Sequence, residues 1–166
     1  MSRASSSLGL FVQAPNGRYK PASLSSVIAI AREALDASLV RADVFDCPGI
    51  VKDYLALRLG GLEREVFSIV LLDAQHRVIE YREMFQGTIA QTSVYPREIV
   101  KAALSANAAA MILAHNHPSG VPEPSRADEM LTLTLKSTLA TVDIRVLDHV
   151  VVGGGSVVSF AERGLL

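Results

Sequence analysis

Residues 108–128 read AAAMILAHNHPSGVPEPSRAD. The apolar run Ala108–Ala114 is too short for an ordinary helix and predicts a buried strand. It leads straight into a polar, Pro-rich loop, and Ser125 opens the next segment. His115 and His117 leave the strand at i and i+2. On extended backbone such residues point to the same side, with Cα atoms about 7 Å apart, so the two imidazoles can converge on one ion. Asp128 follows eleven residues after His117. In the first turn of the next helix, with the loop folding back toward the strand end, it can supply a third ligand. Two nitrogens and one carboxylate oxygen leave one position on a tetrahedral zinc for water. Zinc lowers the pKa of that water toward about 7. Ser125-x-x-Asp128 is also a capping box, with Ser as N-cap and the acid at N3. Both readings hold together, because a cap that fixes Asp128 also orients a ligand.

On the C-terminal side, residues 125–140 carry two patterns. LTLTL alternates like a strand, yet Ala127, Leu131, Leu135 and Leu139 form a four-residue ridge behind a strong cap, which predicts a helix. IRVLDHVVVG and SVVSF predict two closing strands around Gly153-Gly154-Gly155. On the N-terminal side, Pro96 opens a helix with Ile99, Val100, Ala103 and Leu104 on one face and Asn107 at its end. EVFSIVLLD, starting at Glu65, and RVIEYREMF predict a hairpin about the turn DAQH. A helix follows Asp46, with Pro48 in its first turn and Ile50, Val51, Tyr54 and Leu55 sharing a face. Gly60-Gly61 ends it. Leu24, Val27, Ile28, Ala31, Ala34, Leu35 and Leu39 predict an earlier helix capped by Ser23. Residues 1–22 hold four Ser, two Pro and two Gly without a period and read as a mobile arm. The order from residue 65, β-β-α-β-α-β-β, predicts an α/β (α+β) fold with a mixed sheet flanked by helices. The organisation expected is an arm at 1–22, a helix at 23–44 and one domain at 45–166.

Composition bounds the function. The 166 residues are 49% hydrophobic and 20% charged, enough for one packed core and unlike a disordered chain. Sixteen Lys and Arg against 17 Asp and Glu give a net charge of −1, which excludes a strongly basic nucleic-acid coat. Cys47 is the one cysteine, so no internal disulfide and no cysteine-based zinc site can be built. This fits a reducing compartment. The start holds only LGLFV as an apolar run, short for a signal-peptide core, and no stretch approaches the roughly 20 apolar residues of a membrane span. A soluble, cytoplasmic protein is expected.

His115-x-His117-Pro118, six residues, then Ser125-x-x-Asp128 resembles the JAMM (MPN+) motif, H-x-H-P-x6-S-x-x-D. The wider text, HPSG, PEPSRAD, IRVLDH, VVGGG and SFAERGLL, resembles the RadC family of bacterial JAMM-like proteins over about residues 45–166. The resemblance implies a JAMM/MPN-like, cytidine-deaminase-like sheet with zinc on His115, His117 and Asp128. It also implies a glutamate on an earlier strand as general base and a serine that helps to stabilise the oxyanion. Ser125 matches the serine. Glu65, at the mouth of the first apolar strand, is assigned as the base, and Glu63 competes with it. The implied activity is hydrolysis of a peptide or isopeptide bond in a peptide or protein substrate.

The RadC label carries a DNA-repair association, which makes a DNA-associated factor or metal-dependent nuclease the alternative. Its support in the residues is thin. The contiguous letters His-Asn-His are not an HNH nuclease motif, whose residues are scattered through a ββα unit. No paired helix-hairpin-helix segment precedes the domain, and CPGIVKDY reads as a helix start. Arg97, Lys101, Arg126 and Lys136 are scattered charges, whereas nucleic-acid affinity comes largely from phosphate neutralisation. A non-catalytic interaction module is disfavoured by the intact His, His, Asp and Ser. A zinc deaminase needs a PCxxC pair that one cysteine cannot supply. His149, on an apolar strand, reads as a satisfied structural histidine. Gly153–Gly155 reads as a hairpin turn, because neither a following helix nor a P-loop lysine accompanies it. Asn116 either bonds within the loop or faces substrate. Oligomeric state does not follow from the sequence.

Overall fold

The structure, a computed structural model, describes residues 9–39, 48–87 and 94–166. Asp46, Cys47, the junction expected near residue 45 and the first eight residues of the expected arm lie outside the described residues. The chain divides into two compact units, Met1–Ala37 and Ser38–Leu166.

In the first unit, part of the expected arm carries a hairpin instead. β1 (Phe11–Gln13) pairs antiparallel with β2 (Tyr19–Pro21), with Val12 opposite Lys20. Asn16 Oδ1 accepts the Arg18 N–H at 3.1 Å, and Gly17 adopts φ +79°. Asn-Gly is a strong turn former, but strands of three residues are too short to display a period in sequence. α1 (Leu24–Leu39) follows. Ser23 caps it as expected, its Oγ accepting the Ser26 N–H at 3.1 Å.

The second unit opens with α2 (Pro48–Leu59). Val51, Tyr54, Leu55 and Leu59 are buried, but Ile50 is 58% exposed. One step along a helix turns the side chain by about 100°, which takes Ile50 off the face expected for it. The remaining elements are β3 (Val66–Leu72), β4 (Val78–Gln86), α3 (Pro96–Ser105), β5 (Ala110–Asn116), α4 (Arg126–Ala140), β6 (Arg145–Gly153) and β7 (Ser156–Ser159). The strands form one sheet in the order β4-β3-β5-β6-β7. β5 and β6 are parallel, with α4 as the crossover between them, and the other pairs are antiparallel. The expected α/β class and mixed sheet are therefore observed, and the ambiguous segment after Ser125 is a helix.

β3 and β5 are central and buried along their whole length. Their two faces are covered differently. Phe67, Ile69, Leu71, Met111 and Leu113 pack with Ile99, Ala102 and Ala103 of α3 and with Leu135 and Leu139 of α4. Leu104, expected on the packed face of α3, is 56% exposed. The opposite face is met by α2, which touches β5, β6 and β7. There the Tyr54 and Tyr81 rings meet edge to face with centroids 5.6 Å apart. Among the described residues, no helix is long and apolar enough to cross a membrane.

The β5–β6 ladder carries an irregularity. Met111 pairs with Val146, but Ile112 pairs with Asp148 and Leu113 with His149, so Leu147 is an extra residue in β6. Side chains alternate along a strand, and one inserted residue reverses the faces beyond it. Counted from Val146 without the bulge, His149 would point toward α2. With the bulge it shares the face of Leu113 and α4.

Candidate metal centre

The site lies where β5 ends beside its parallel neighbour β6, at the carboxyl edge of the strands where open α/β sheets bind ligands. His115 is the penultimate residue of β5 and is buried. His117 extends the ladder, its N–H donating to the Val152 carbonyl at 2.8 Å. The Pro-rich loop then returns the chain to α4. Ser125 caps that helix as the full capping box expected. Its Oγ accepts the Asp128 N–H at 3.2 Å and donates to Asp128 Oδ2 at 2.6 Å, and its own N–H donates to Oδ2 at 2.7 Å.

These elements bring His115, His117 and Asp128 together, with one ligand atom from each inside a span of 4.8 Å. His115 Nε2 is 3.0 Å from His117 Nε2 and 3.4 Å from Asp128 Oδ1. His117 Nε2 is 3.6 Å from Asp128 Oδ2. Ligand atoms about 2.0–2.1 Å from a tetrahedral ion stand about 3.3 Å apart, so the spacing fits one metal. The protonation pattern fits as well. His117 Nδ1 lies 2.8 Å from the Val121 carbonyl. A carbonyl only accepts, so Nδ1 carries the hydrogen and Nε2 offers a lone pair. Burial pulls the Asp128 carboxyl upward, but the neighbouring His115 imidazole and the Ser125 donors outweigh it. Asp128 is held well below the usual carboxylate range and stays an anion.

The loop rests on the β6–β7 hairpin. Gly153 pairs with Ser156, leaving Gly154-Gly155 as a two-residue turn with φ +55° and +86°. The expected hairpin turn is therefore present. A Cβ on Gly153 would lie 2.7 Å from Pro122 N and 2.9 Å from Val121 C, and one on Gly154 would lie 2.6 Å from Gly120 O. All of these neighbours are backbone and cannot rotate away. Gly153→Ala is expected to push the 120–122 segment outward, with the Val121 carbonyl that orients His117. A competition titration should find zinc binding weakened about tenfold or more. Unchanged affinity would show that the loop tolerates the displacement.

Glu65 is half-buried, directly before β3, and is not among the three clustered groups. Phe67 is opposite His115 in the antiparallel ladder. Continuing that register by two residues sets Glu65 opposite His117, on the face that carries both histidines. Glu63 is exposed in the preceding turn. Glu65 enters this position through a clamp from Asn116. Asn116 Oδ1 accepts the Val66 N–H at 2.8 Å, and its Nδ2 donates to the Arg64 carbonyl at 3.0 Å. Asn116 is bonded, but not within its own loop as expected: its side chain holds the backbone on either side of Glu65.

The model of the family described as "RadC-like JAB domain" matches residues 45–165. The chain belongs to that family. UPF0758 proteins of Leptothrix cholodnii and Methylibium petroleiphilum are each 61% identical to this RadC-like chain over 150 residues, covering 90% of it and 68% of the relative. A UPF0758 protein of Nitrosospira multiformis is 55% identical over 159 residues, 95% of this chain and 71% of the relative.

Sequence reasoning missed part of this RadC-like centre. His149 is the satisfied, buried histidine expected, but the sequence does not reveal its partner: its Nε2 stands 2.8 Å from His115 Nδ1. It packs between Phe160, with ring centroids 4.7 Å apart, and Phe67, at 5.8 Å. Burial holds its imidazole well below the usual range. Thr132 Oγ1 is 2.6 Å from His149 Nδ1. In the sequence Thr132 shows itself only as half of the LTLTL alternation.

Proposed function

We propose that this RadC-like domain is a zinc-dependent hydrolase of peptide or isopeptide bonds. The observation that carries the reading is the convergence of His115 Nε2, His117 Nε2 and the Asp128 carboxylate on one point at the strand ends. Two nitrogens, one oxygen and no sulfur suit zinc with one position left open. Bound zinc supplies an acidified water and a Lewis-acid contact for a carbonyl oxygen. Glu65 takes a proton on its carboxylate as the water attacks and delivers it to the leaving amine nitrogen. Ser125, whose hydroxyl lies against Asp128, turns to donate to the developing oxyanion. Asp128 stays ionised, and His117 is held by Val121.

The alternative of a nucleic-acid substrate draws little from the surface. Arg97 and Lys101 both face Glu98, at 3.8 and 3.9 Å, and the net charge is −1. Zinc-loaded protein incubated with a peptide and isopeptide library should release new amine termini detectable by mass spectrometry. Plasmid DNA in the same buffer should stay intact. Cleavage of the plasmid with no peptide product, or failure to take up zinc, would overturn the proposal.

A further inference from the structure

Behind the three candidate ligands runs a buried chain of hydrogen bonds. Thr132 Oγ1 donates to the Asp128 carbonyl at 2.6 Å. That carbonyl can only accept, so the single hydroxyl hydrogen of Thr132 is committed to it. The contact of Thr132 Oγ1 with His149 Nδ1, at 2.6 Å, then requires Nδ1 to carry the hydrogen. A neutral imidazole with Nδ1–H has its lone pair on Nε2. The 2.8 Å contact with His115 Nδ1 in turn requires His115 to donate. His115 is therefore the Nδ1–H tautomer, and its Nε2 lone pair faces His117 Nε2 and Asp128 Oδ1. Each step is dictated by what its neighbour can accept.

We propose that His149 and Thr132 are positioning residues of the metal centre. Together they fix the tautomer and ring orientation of His115 and tie that ligand to the helix turn that carries Asp128. The chain runs from His115 through His149 and Thr132 to the Asp128 backbone, so the two candidate ligands whose Nε2 and Oδ1 face each other in front are also tied together behind. His149 and Thr132 are both buried, so water cannot substitute at either step. The bulge at Leu147 is what brings His149 to this face. Ligand-orienting partners of this kind typically carry about 10–100-fold in metal affinity.

The inference rests on the metal-centre reading, and the test separates the two. Zinc affinity is measured by competition with a chromophoric chelator for the wild type, Asp128→Ala, His149→Leu, His149→Gln and Thr132→Val. In His149→Leu the side chain offers no acceptor to His115, whereas the amide oxygen introduced by His149→Gln restores one. His149→Leu and Thr132→Val should bind zinc about 10–100-fold more weakly, and His149→Gln should recover most of the loss. Long-range proton–nitrogen spectra of metal-free wild type should assign His115 as Nδ1–H, and His149→Leu should populate the Nε2–H form. Should His149→Leu not fold, Thr132→Val and the wild-type tautomer decide. Wild-type affinity in both variants, or an Nε2–H His115 in the wild type, overturns the inference while leaving the metal centre intact. A wild type that takes up no zinc, or an Asp128→Ala that binds as tightly, overturns the metal centre and the positioning role with it.

Discussion

Glu65→Gln is expected to lower turnover about 10²–10⁴-fold while zinc content stays at that of the wild type. The substitution keeps the size and hydrogen-bonding length of the side chain but leaves no site that can take a proton at neutral pH. Glu65 is not one of the three groups at the ligand point, so its charge is not needed to retain the ion. The register of Phe67 with His115, continued by two residues, puts Glu65 on the face that carries both histidines. Activity is read on whichever library peptide the wild type cleaves, with metal measured by elemental analysis on the same preparation. Glu63→Gln is the control. Glu63 is exposed and precedes the strand, and its neutralisation should leave the rate within about threefold, as for a solvated charge outside the reaction. A Glu65→Gln protein as active as the wild type sinks the assignment, and a loss confined to Glu63→Gln moves the base by two residues.

The difference between legible and illegible parts of this site lies in the range of the interactions. His115, His117 and Asp128 are linked by local geometry. A strand repeats every two residues, and a capping box fixes its acid three residues past the cap, so both halves can be read from spacing. The parts that spacing does not reveal depend on partners distant in sequence. Glu65 is set by the pairing of Phe67 with His115, a contact spanning the hairpin and α3. His149 is turned to the α4 face by the extra residue Leu147, and no alternation pattern announces a bulge in IRVLDHVVVG. Asn116 illustrates the same rule from the other side. Strand alternation alone sends the middle residue of His-Asn-His away from the two histidines. Only the fold reveals that the turn before β3 waits there to be clamped. Gly153 is similar. The sequence indicates a turn, and the turn is present, but the close approach of the 120–122 backbone is a tertiary fact.

Asp128→Ala is expected to abolish stoichiometric zinc, and the same variant separates the two jobs of that carboxylate. In the folded chain Oδ2 closes the capping box through Ser125, while Oδ1 faces His115 Nε2. Truncation removes both. Ser125 Oγ still accepts the residue-128 N–H, so only the carboxylate's half of the box is lost, which should destabilise metal-free protein by about 0.5–1.5 kcal/mol, visible as a lower melting temperature without zinc. Loss of the ligand should appear as a lost response to zinc. A protein that binds only when folded gains about 2.7 kcal/mol when free metal is 100 times its dissociation constant. Wild type should therefore melt higher as zinc is added, and Asp128→Ala should not. Asp128→Asn divides the effects further. Its amide oxygen can still accept from Ser125, so the metal-free melting temperature should recover toward that of the wild type. The missing charge should keep zinc affinity low, because two neutral imidazoles and a neutral amide hold a divalent ion without an anionic partner. A zinc-dependent rise in melting temperature that survives in both variants would mean that the ion sits elsewhere, and the hydrolytic reading would fall with it.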